Sequence, residues 1–168
     1  MINCIYYHGS RKSKLSQLKI NRVDDNPFGP AVYLTKDPMV ANCYCREGGA
    51  IYEVNISGNT LLTIDLDKSF IDQSDEAKEA ILRSLKSLNQ SVDICPSTNA
   101  RDFIHPDGYS RLDINDALFK NGIWLLYGHL SGMELSGLMD RGVQFAVIDE
   151  SSLKVSKETS YYEIFAAK

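Results

Sequence analysis

Apolar and polar residues alternate with a period of two in several short stretches of the chain, which is the pattern of half-buried β-strands. The clearest stretch is 50–56, where Tyr52, Val54 and Ile56 alternate with polar residues. Gly, Pro and Asn clusters separate these stretches, as they do in turns between short strands. The remaining strands are predicted at 4–7 (ending in a turn at 8–10), 31–35, 61–66, 123–127, 143–148, 153–155 and 162–165.

Helical spacing of apolar residues is confined to a few segments. The strongest is 75–88, where an apolar stripe follows Ser74, a good N-cap residue. A short helix is predicted after Asp37, with Pro38 in its first position and Tyr44 on a following turn. Further short helices are predicted at 113–120, capped by Asp113, and after the capping box Ser131-x-x-Glu134, whereas 89–111 is irregular and polar. Many short strands with few helices predict one α+β domain over residues 1–168, rich in antiparallel sheet.

Composition and charge narrow the class of protein. The chain has 168 residues, of which 43% are hydrophobic and 24% charged, as in ordinary globular domains. Its formal net charge of −4 does not favour binding to nucleic-acid backbones or anionic lipid. No apolar run is long enough to span a membrane and no apolar leader follows Met1, so we expect a cytoplasmic protein, or one delivered without an N-terminal signal. A local basic patch or a solvated loop both fit the basic run Arg11, Lys12, Lys14, Lys19 and Arg22.

Two kinds of site are not indicated by the sequence. Cys4, Cys43, Cys45 and Cys95 lack the spacing of zinc ligands, so we expect reduced thiols and no metal. There is also no Gly-x-Gly-x-x-Gly and no phosphate-binding Walker loop, which excludes dinucleotide binding of the Rossmann type.

Three stretches carry residues of the types that bind ligands or take part in catalysis. They are Tyr7-His8-Gly9-Ser10, then Phe28-Gly29-Pro30-Ala31-Val32-Tyr33 followed by Ala41-Asn42-Cys43-Tyr44-Cys45, and finally Gly142-Val143-Gln144-Phe145-Ala146-Val147-Ile148-Asp149. Taken alone, each is more typical of structural residues than of a site. Their occurrence in this order is the informative feature.

In this order the stretches resemble the ADP-ribosyltransferase superfamily, in its His-Tyr-Glu class of poly-ADP-ribose polymerases and diphtheria toxin. That class has a strand with His-Gly-Ser/Thr, a Phe-Gly-x-Gly-Ile-Tyr-like strand and a helix with a second tyrosine. Tyr33 and Tyr44 are 11 positions apart, as in the polymerase-type members. The strand 144–149, after Asn121-Gly122-Ile123-Trp124, is similar to the Glu-Tyr-Val-Val-Phe-Asp strand of toxin-like members. The resemblance covers 4–57 and 118–155 and implies an ADP-ribosyltransferase-like fold of split antiparallel β-sheets with a few flanking helices.

The resemblance also implies a substrate, NAD, and roles for the motif residues. His8 is expected to hydrogen-bond the adenosine ribose, and the backbone of Gly9 to hold the nicotinamide amide, where a residue without a side chain allows close approach. Ser10 would offer its hydroxyl to that ribose or to nicotinamide. Tyr33 and Tyr44 would enclose the nicotinamide ring between their aromatic faces.

Gln144 departs from the family pattern, which has glutamate at this position. A glutamate would bind the ribose 2′-hydroxyl and offset the positive charge that develops at the anomeric carbon. Glutamine keeps the hydrogen bond and loses the charge, unless Glu134 or Glu150 contributes from a nearby loop. We therefore assign His8, Tyr33 and Gln144 as the implied catalytic residues.

Three functions remain open at this stage. The first is transfer of ADP-ribose to a protein or nucleic acid, as a mono-ADP-ribosylating toxin or effector. The second is an inactive module of the same fold that binds NAD, ADP-ribose or a partner protein. The third, an RNA 2′-phosphotransferase, is disfavoured by the acidic charge balance. The acceptor is expected to meet the loop between Tyr127 and Gln144, with the candidates His129, Ser131, Glu134 and Ser136.

Overall fold

The computed structural model describes residues 4–22, 26–89, 94–104, 110–130 and 142–166. Its strands are β1 (Tyr6–Ser10), β2 (Val32–Thr35), β3 (Ala50–Ile56), β4 (Thr63–Asp65), β5 (Leu125–His129), β6 (Val143–Val147) and β7 (Leu153–Ser160). Its α-helices are α1 (Pro38–Asn42), α2 (Asp75–Ser87), α3 (Ala100–Ile104), α4 (Arg111–Lys120) and α5 (Tyr161–Ala166). Single 3-10 turns occur at Thr60–Leu62, Phe70–Asp72 and Glu150–Ser152.

The seven strands form one sheet in the hydrogen-bonded order β4-β5-β6-β2-β1-β3-β7. Neighbours are antiparallel except β4 and β5, which are parallel. This pair can be parallel because the chain between its strands makes a long crossover through α2, α3 and α4. The fold is therefore α+β, as expected, but with one mixed sheet where two antiparallel sheets were predicted.

Pairing between strands is sparsest at the centre of the sheet. β1 and β2 share a single register pair, Tyr7 with Thr35. By contrast, β1 has five register pairs with β3, and β2 has four with β6. The β4-β5-β6-β2 half and the β1-β3-β7 half are thus joined by far fewer paired residues than the strands within each half, and the two strands at this junction carry predicted site residues.

Apolar side chains pack on both faces of the sheet. On one face, which we call the helix-covered face, buried residues of α2 and α4 such as Ile81, Leu85 and Leu118 pack against Leu126 and Ala146. On the other face, Tyr6, Val32, Leu34, Tyr52, Val54, Phe145 and Val147 form a second buried cluster, with Leu18 from the loop after β1. No helix in the described ranges is long and apolar enough to cross a membrane.

Several predicted elements are confirmed with their caps. α2 begins after Ser74, whose hydroxyl accepts a hydrogen bond from the backbone N–H of Ala77. α1 begins at Pro38, and the side chain of Asp37 accepts from the N–H of Met39. Local signals sufficed here because a cap and a repeating stripe lie within the segment they define.

Other predictions are wrong in their bounds. β1 begins at Tyr6 and runs through Ser10, so 8–10 continue the strand in which we expected a turn. α1 ends at Asn42, before Tyr44. The segment 61–66 is partly a 3-10 turn capped by Asn59, which shortens β4 to three residues.

Two helices also differ from expectation. Residues 162–165 were predicted as a strand and lie in α5, which starts with a capping box: Glu163 accepts from the N–H of Ser160, and Ser160 accepts from the N–H of Glu163. α4 is capped by Ser110 instead of Asp113, and α3 lies within the segment predicted to be irregular. The predicted helix after Ser131 lies outside the described residues.

Candidate functional site

The three motif stretches lie on three adjacent strands, in the order β6-β2-β1. Thr35 pairs with Gln144 and Tyr33 with Ala146, so Tyr33 and Gln144 point to the same, helix-covered face. Thr35 also pairs with Tyr7. Because side chains alternate along a strand, Gly9, two residues after Tyr7, faces the same side. The sheet thus brings together Gly9, Tyr33 and Gln144 from distant parts of the chain.

Gly9 lies against the end of α1 without room for a side chain. A Cβ atom built on Gly9 would be 1.8 Å from the carbonyl oxygen of Ala41 and 3.0 Å from the Cβ of Tyr44. Tyr44 follows α1 by two residues and is 40% exposed. This contact sets Tyr44 beside Gly9, and it explains why the strand carries glycine at this position.

Tyr33 is held in a fixed orientation. Its hydroxyl accepts a hydrogen bond from the N–H of Phe28 and donates one to the carbonyl of Gly29, both at 2.8 Å. Its ring stacks on that of Phe28 with centroids 6.1 Å apart and planes 23° apart. Burial raises the pKa of the Tyr33 hydroxyl well above its usual range. The phenol is therefore neutral and its hydroxyl is engaged, so the ring is the part of Tyr33 that can contact a ligand.

The loop that positions Tyr33 depends on a residue that the sequence reasoning missed. The buried side chain of Asn115, on α4, donates to the carbonyls of Phe28 (2.9 Å) and Pro30 (3.1 Å). Gly29 has a φ of +76°, and a Cβ there would be 2.7 Å from the Asn115 amide nitrogen. The available signal was a polar residue among the apolar, inward-facing positions of a helix, which indicates a buried hydrogen-bonding role.

His8 reaches the site from the other face of the sheet. It pairs with Tyr52 on β3, and its ring contacts the backbone of β2. There Nδ1 is 2.8 Å from the backbone oxygen of Tyr33. A carbonyl can only accept, so Nδ1 carries the proton of this hydrogen bond. Burial lowers the pKa of His8, although the bond to Tyr33 opposes the shift. His8 is therefore neutral at pH 7, with Nε2 as a hydrogen-bond acceptor.

The two remaining motif residues differ in their surroundings. Ser10 lies on the same face as His8, and its hydroxyl accepts from the backbone N–H of Lys12 at 3.1 Å. Gln144 is only 2% exposed. Ser10 therefore does not lie on the face shared by Gly9, Tyr33 and Gln144, whereas Gln144 lies within the sheet beside Thr35.

A second missed feature lies next to Gln144. Its other neighbour in the sheet is Gly128 of β5. A Cβ on Gly128 would be 3.1 Å from Nη2 of Arg101 and 3.2 Å from Oδ1 of Asp67. These two side chains form an ion pair of 2.7 Å. The glycine thus leaves room for an ion pair on the helix-covered face, one strand from Gln144.

Glu150 and Glu134 are the two residues suggested as sources of the missing carboxylate. Glu150 is committed elsewhere, because Oε1 accepts from the N–H of Ile20 (2.7 Å) and Oε2 from Lys19 (2.9 Å). These bonds lower the pKa of Glu150, so it is ionised but turned to the loop after β1. Glu134 lies outside the described residues, as do the acceptor candidates Ser131 and Ser136.

The other sequence predictions concern charge and metals. The basic run is partly neutralised, because Lys19 pairs with Glu150 and Arg22 with Asp116. All four cysteines are free. Among the residues that the structure describes, no group of three or more His, Cys, Asp or Glu side chains could hold a metal ion.

Comparison of the chain with protein-family models, with curated proteins and with solved structures finds no match. The motifs and the geometry of the three strands are therefore the features of the chain that indicate a function.

Proposed function

We propose that this protein is an NAD-dependent ADP-ribosyltransferase that moves ADP-ribose from NAD to a macromolecular acceptor. One observation carries the proposal: the motifs that resemble those of the His-Tyr-Glu class lie on three adjacent strands, with Gly9, Tyr33 and Gln144 on one face. These residues are far apart in sequence, so their convergence supports a common site more strongly than each motif does alone.

The geometry fits the binding of a nicotinamide ring. The absence of a side chain at Gly9 lets Tyr44 pack directly beside β1, and Tyr33 offers a ring whose orientation is fixed by two hydrogen bonds. A flat ligand placed between the two tyrosines would contact aromatic faces, which favours stacking. The backbone of Gly9 would then bind the carboxamide.

His8 fits the ribose on the adenosine side. Its neutral ring already donates from Nδ1 to the Tyr33 carbonyl, so Nε2 accepts a hydrogen bond from a hydroxyl. The bond to Tyr33 also links the orientation of His8 to that of the stacking tyrosine. In this proposal His8 binds and orients NAD and transfers no proton.

Gln144 would accept a hydrogen bond from the 2′-hydroxyl of the nicotinamide ribose. The reaction breaks the bond between nicotinamide and this ribose, and positive charge develops on the sugar as nicotinamide leaves. A neutral amide cannot offset that charge, and the loss of one such electrostatic contact costs about 10²–10³ in rate. We therefore propose a slow mono-ADP-ribosyltransferase with a strong nucleophile as acceptor, a protein side chain or a nucleic acid, in the manner of a toxin or effector acting in a cytosol.

The proposal is tested by incubating the purified protein with NAD labelled in its adenine moiety and with a cell lysate. Free nicotinamide and label on macromolecules are measured together, and protease and nuclease treatment identifies the class of acceptor. Label transfer that is lost in His8→Ala and Tyr44→Ala supports the proposal. Tyr162→Ala is the matched control, because Tyr162 is an exposed tyrosine near the start of α5 that has no role in the proposed site.

Gln144→Glu gives the most specific test. If Gln144 occupies the position of the family glutamate, this variant releases nicotinamide about 10²–10³ times faster than the wild type. Gln144→Ala removes the hydrogen bond and should be slower than the wild type. A Gln144→Glu variant that folds, binds NAD and shows no acceleration would contradict the assignment.

A second function is favoured by Gln144 itself, namely an inactive module that binds NAD or ADP-ribose. The residues proposed to bind NAD do not include a carboxylate, so binding does not require the missing charge. In this case NAD binds with the same dependence on His8 and Tyr44, while neither nicotinamide nor labelled product appears. Calorimetric titration with NAD alongside the lysate assay separates the two functions.

A further inference from the structure

A cavity of about 1070 Å³ adjoins the motif strands, since its lining includes Thr35, which pairs with Gln144, and Phe145, which follows it. It is lined from both halves of the sheet, by β1, by the end of β3 and by β5 and β6. None of the six predicted site residues lines it. Its volume is at the upper end of the range of about 300–1,000 Å³ found for small-molecule sites. The cavity is therefore large enough for a ligand with more than one ring.

Aromatic rings form much of the cavity wall. Phe145 contacts Tyr6 edge-on, with centroids 4.9 Å apart, and stacks on Tyr127 at 5.8 Å. Trp124 adds a fourth ring, whose Nε1 donates to the carbonyl of Asn59 at 2.8 Å. Tyr6, Phe145 and Trp124 belong to the buried cluster of that face, so their positions are set by packing. Rings fixed in this way favour a planar aromatic ligand.

The charge at the cavity comes from Lys36. Its ammonium lies 5.4 Å from the centroid of Phe145 and 5.8 Å from that of Tyr6. Its side chain lines the cavity, and it makes no ion pair with any residue in the described ranges. The carboxylate of Asp37 also lies in the lining and accepts from the N–H of Met39 at the start of α1. Among the described residues, Lys36 thus lies over two aromatic rings and forms no salt bridge.

We propose that this cavity is a second ligand site, which binds a planar aromatic molecule carrying one anionic group. The ring system stacks on the aromatic wall, and the anion pairs with the ammonium of Lys36. This inference does not depend on the proposed transferase activity, because the two sites share no residue.

The chain carries a built-in reporter for the test. Trp124 is its only tryptophan and lines the cavity, so a dye bound in this cavity must accept energy from it. The first probe is 1-anilinonaphthalene-8-sulfonate, an aromatic anion. The second is N-phenyl-1-naphthylamine, which has the same rings without the sulfonate. We expect saturable binding of the sulfonate with energy transfer from Trp124.

Lys36→Met tests the charge while keeping an apolar stem over the rings. The sulfonate should bind about tenfold more weakly to this variant, because a hydrogen bond to a charged group contributes about a factor of ten or more in affinity. The affinity of the neutral dye should change by less than about twofold. Lys157→Met, which alters an exposed lysine on β7 outside the lining, and Tyr44→Ala in the candidate NAD site should leave both affinities unchanged. The proposal is overturned if the sulfonate does not bind, if it binds without energy transfer, or if Lys36→Met weakens both dyes equally.

Discussion

Replacement of Gly9 by alanine tests the close packing of β1 against α1. The new Cβ would be 1.8 Å from the Ala41 carbonyl oxygen, and Cβ atoms are essentially never found within 3.0 Å of another atom. The carbonyl must therefore retreat by about 1.2 Å, and it belongs to backbone that cannot rotate away as a side chain could. Overpacking of this kind costs about 1–3 kcal/mol of folding free energy. The same carbonyl accepts the N–H of Tyr44 at 3.1 Å, so its displacement also disturbs the residue proposed to stack on nicotinamide.

Urea denaturation measures the stability cost, and hydrogen exchange at the Tyr44 amide measures the local displacement. Gly48→Ala is the control, because Gly48 has a φ of +82° and no atom within 4 Å of an added Cβ. That variant strains the backbone by about 1–2 kcal/mol without pressing on α1. We expect faster exchange at Tyr44 and loss of NAD binding in Gly9→Ala only. A Gly9→Ala protein within about 0.5 kcal/mol of the wild type, with unchanged exchange at Tyr44, would refute the packing argument.

Three further outcomes are expected. Burial lowers the pKa of His8 in the folded protein, so on acidification the unfolded chain binds a proton first. The stability of the fold should therefore fall as the pH drops through about 6.5. In His8→Asn, which keeps a donor to the backbone, thermal denaturation should lack the part of this pH dependence that is due to His8. Asn115→Leu leaves two buried carbonyls without their donor and should lower the free energy of unfolding, measured in urea, by about 2–4 kcal/mol. An unchanged free energy of unfolding would mean that the loop before β2 does not depend on Asn115. Glu150→Gln should cost under about 1 kcal/mol and leave nicotinamide release unchanged; a tenfold slower release would instead place Glu150 in the reaction.

The sequence allowed prediction of those elements whose signals are local. α2 and α1 were located by caps that lie within three residues of the first helical turn. α5 carried an equally local capping box at Ser160 and Glu163, but the apolar residues 162–165 were interpreted as a strand. The parallel pairing of β4 with β5 could not be predicted, because it depends on how α2 and α4 pack rather than on any residue within either strand.

The candidate site was likewise predictable only where the signal lies in the local sequence. The order of the motifs predicted which residues should meet, and register pairs then place Tyr33 and Gln144 on one face. That the His8 ring bonds the backbone of Tyr33 could not be predicted, because it depends on the sparse pairing between β1 and β2. Asn115 and the Arg101–Asp67 pair were missed because they belong to the segment 58–117, where no motif indicated a role.

The surroundings of Gln144 give a physical reason for an amide at a position where the enzymes that its motif resembles have a carboxylate. Gln144 is buried, and the nearby Arg101 is already neutralised by Asp67 at 2.7 Å. A carboxylate in place of the amide would be a further buried negative charge beside an ion pair that is already formed, which is costly and raises the pKa of the new group. The positive charge that develops on the ribose would supply the missing partner, but only as the bond to nicotinamide breaks. Gln144→Glu should accordingly lower the stability of the ligand-free protein while it accelerates turnover, and the acceleration should increase with pH as the new carboxyl ionises. If the proposed transferase activity is correct, the natural amide favours stability over rate.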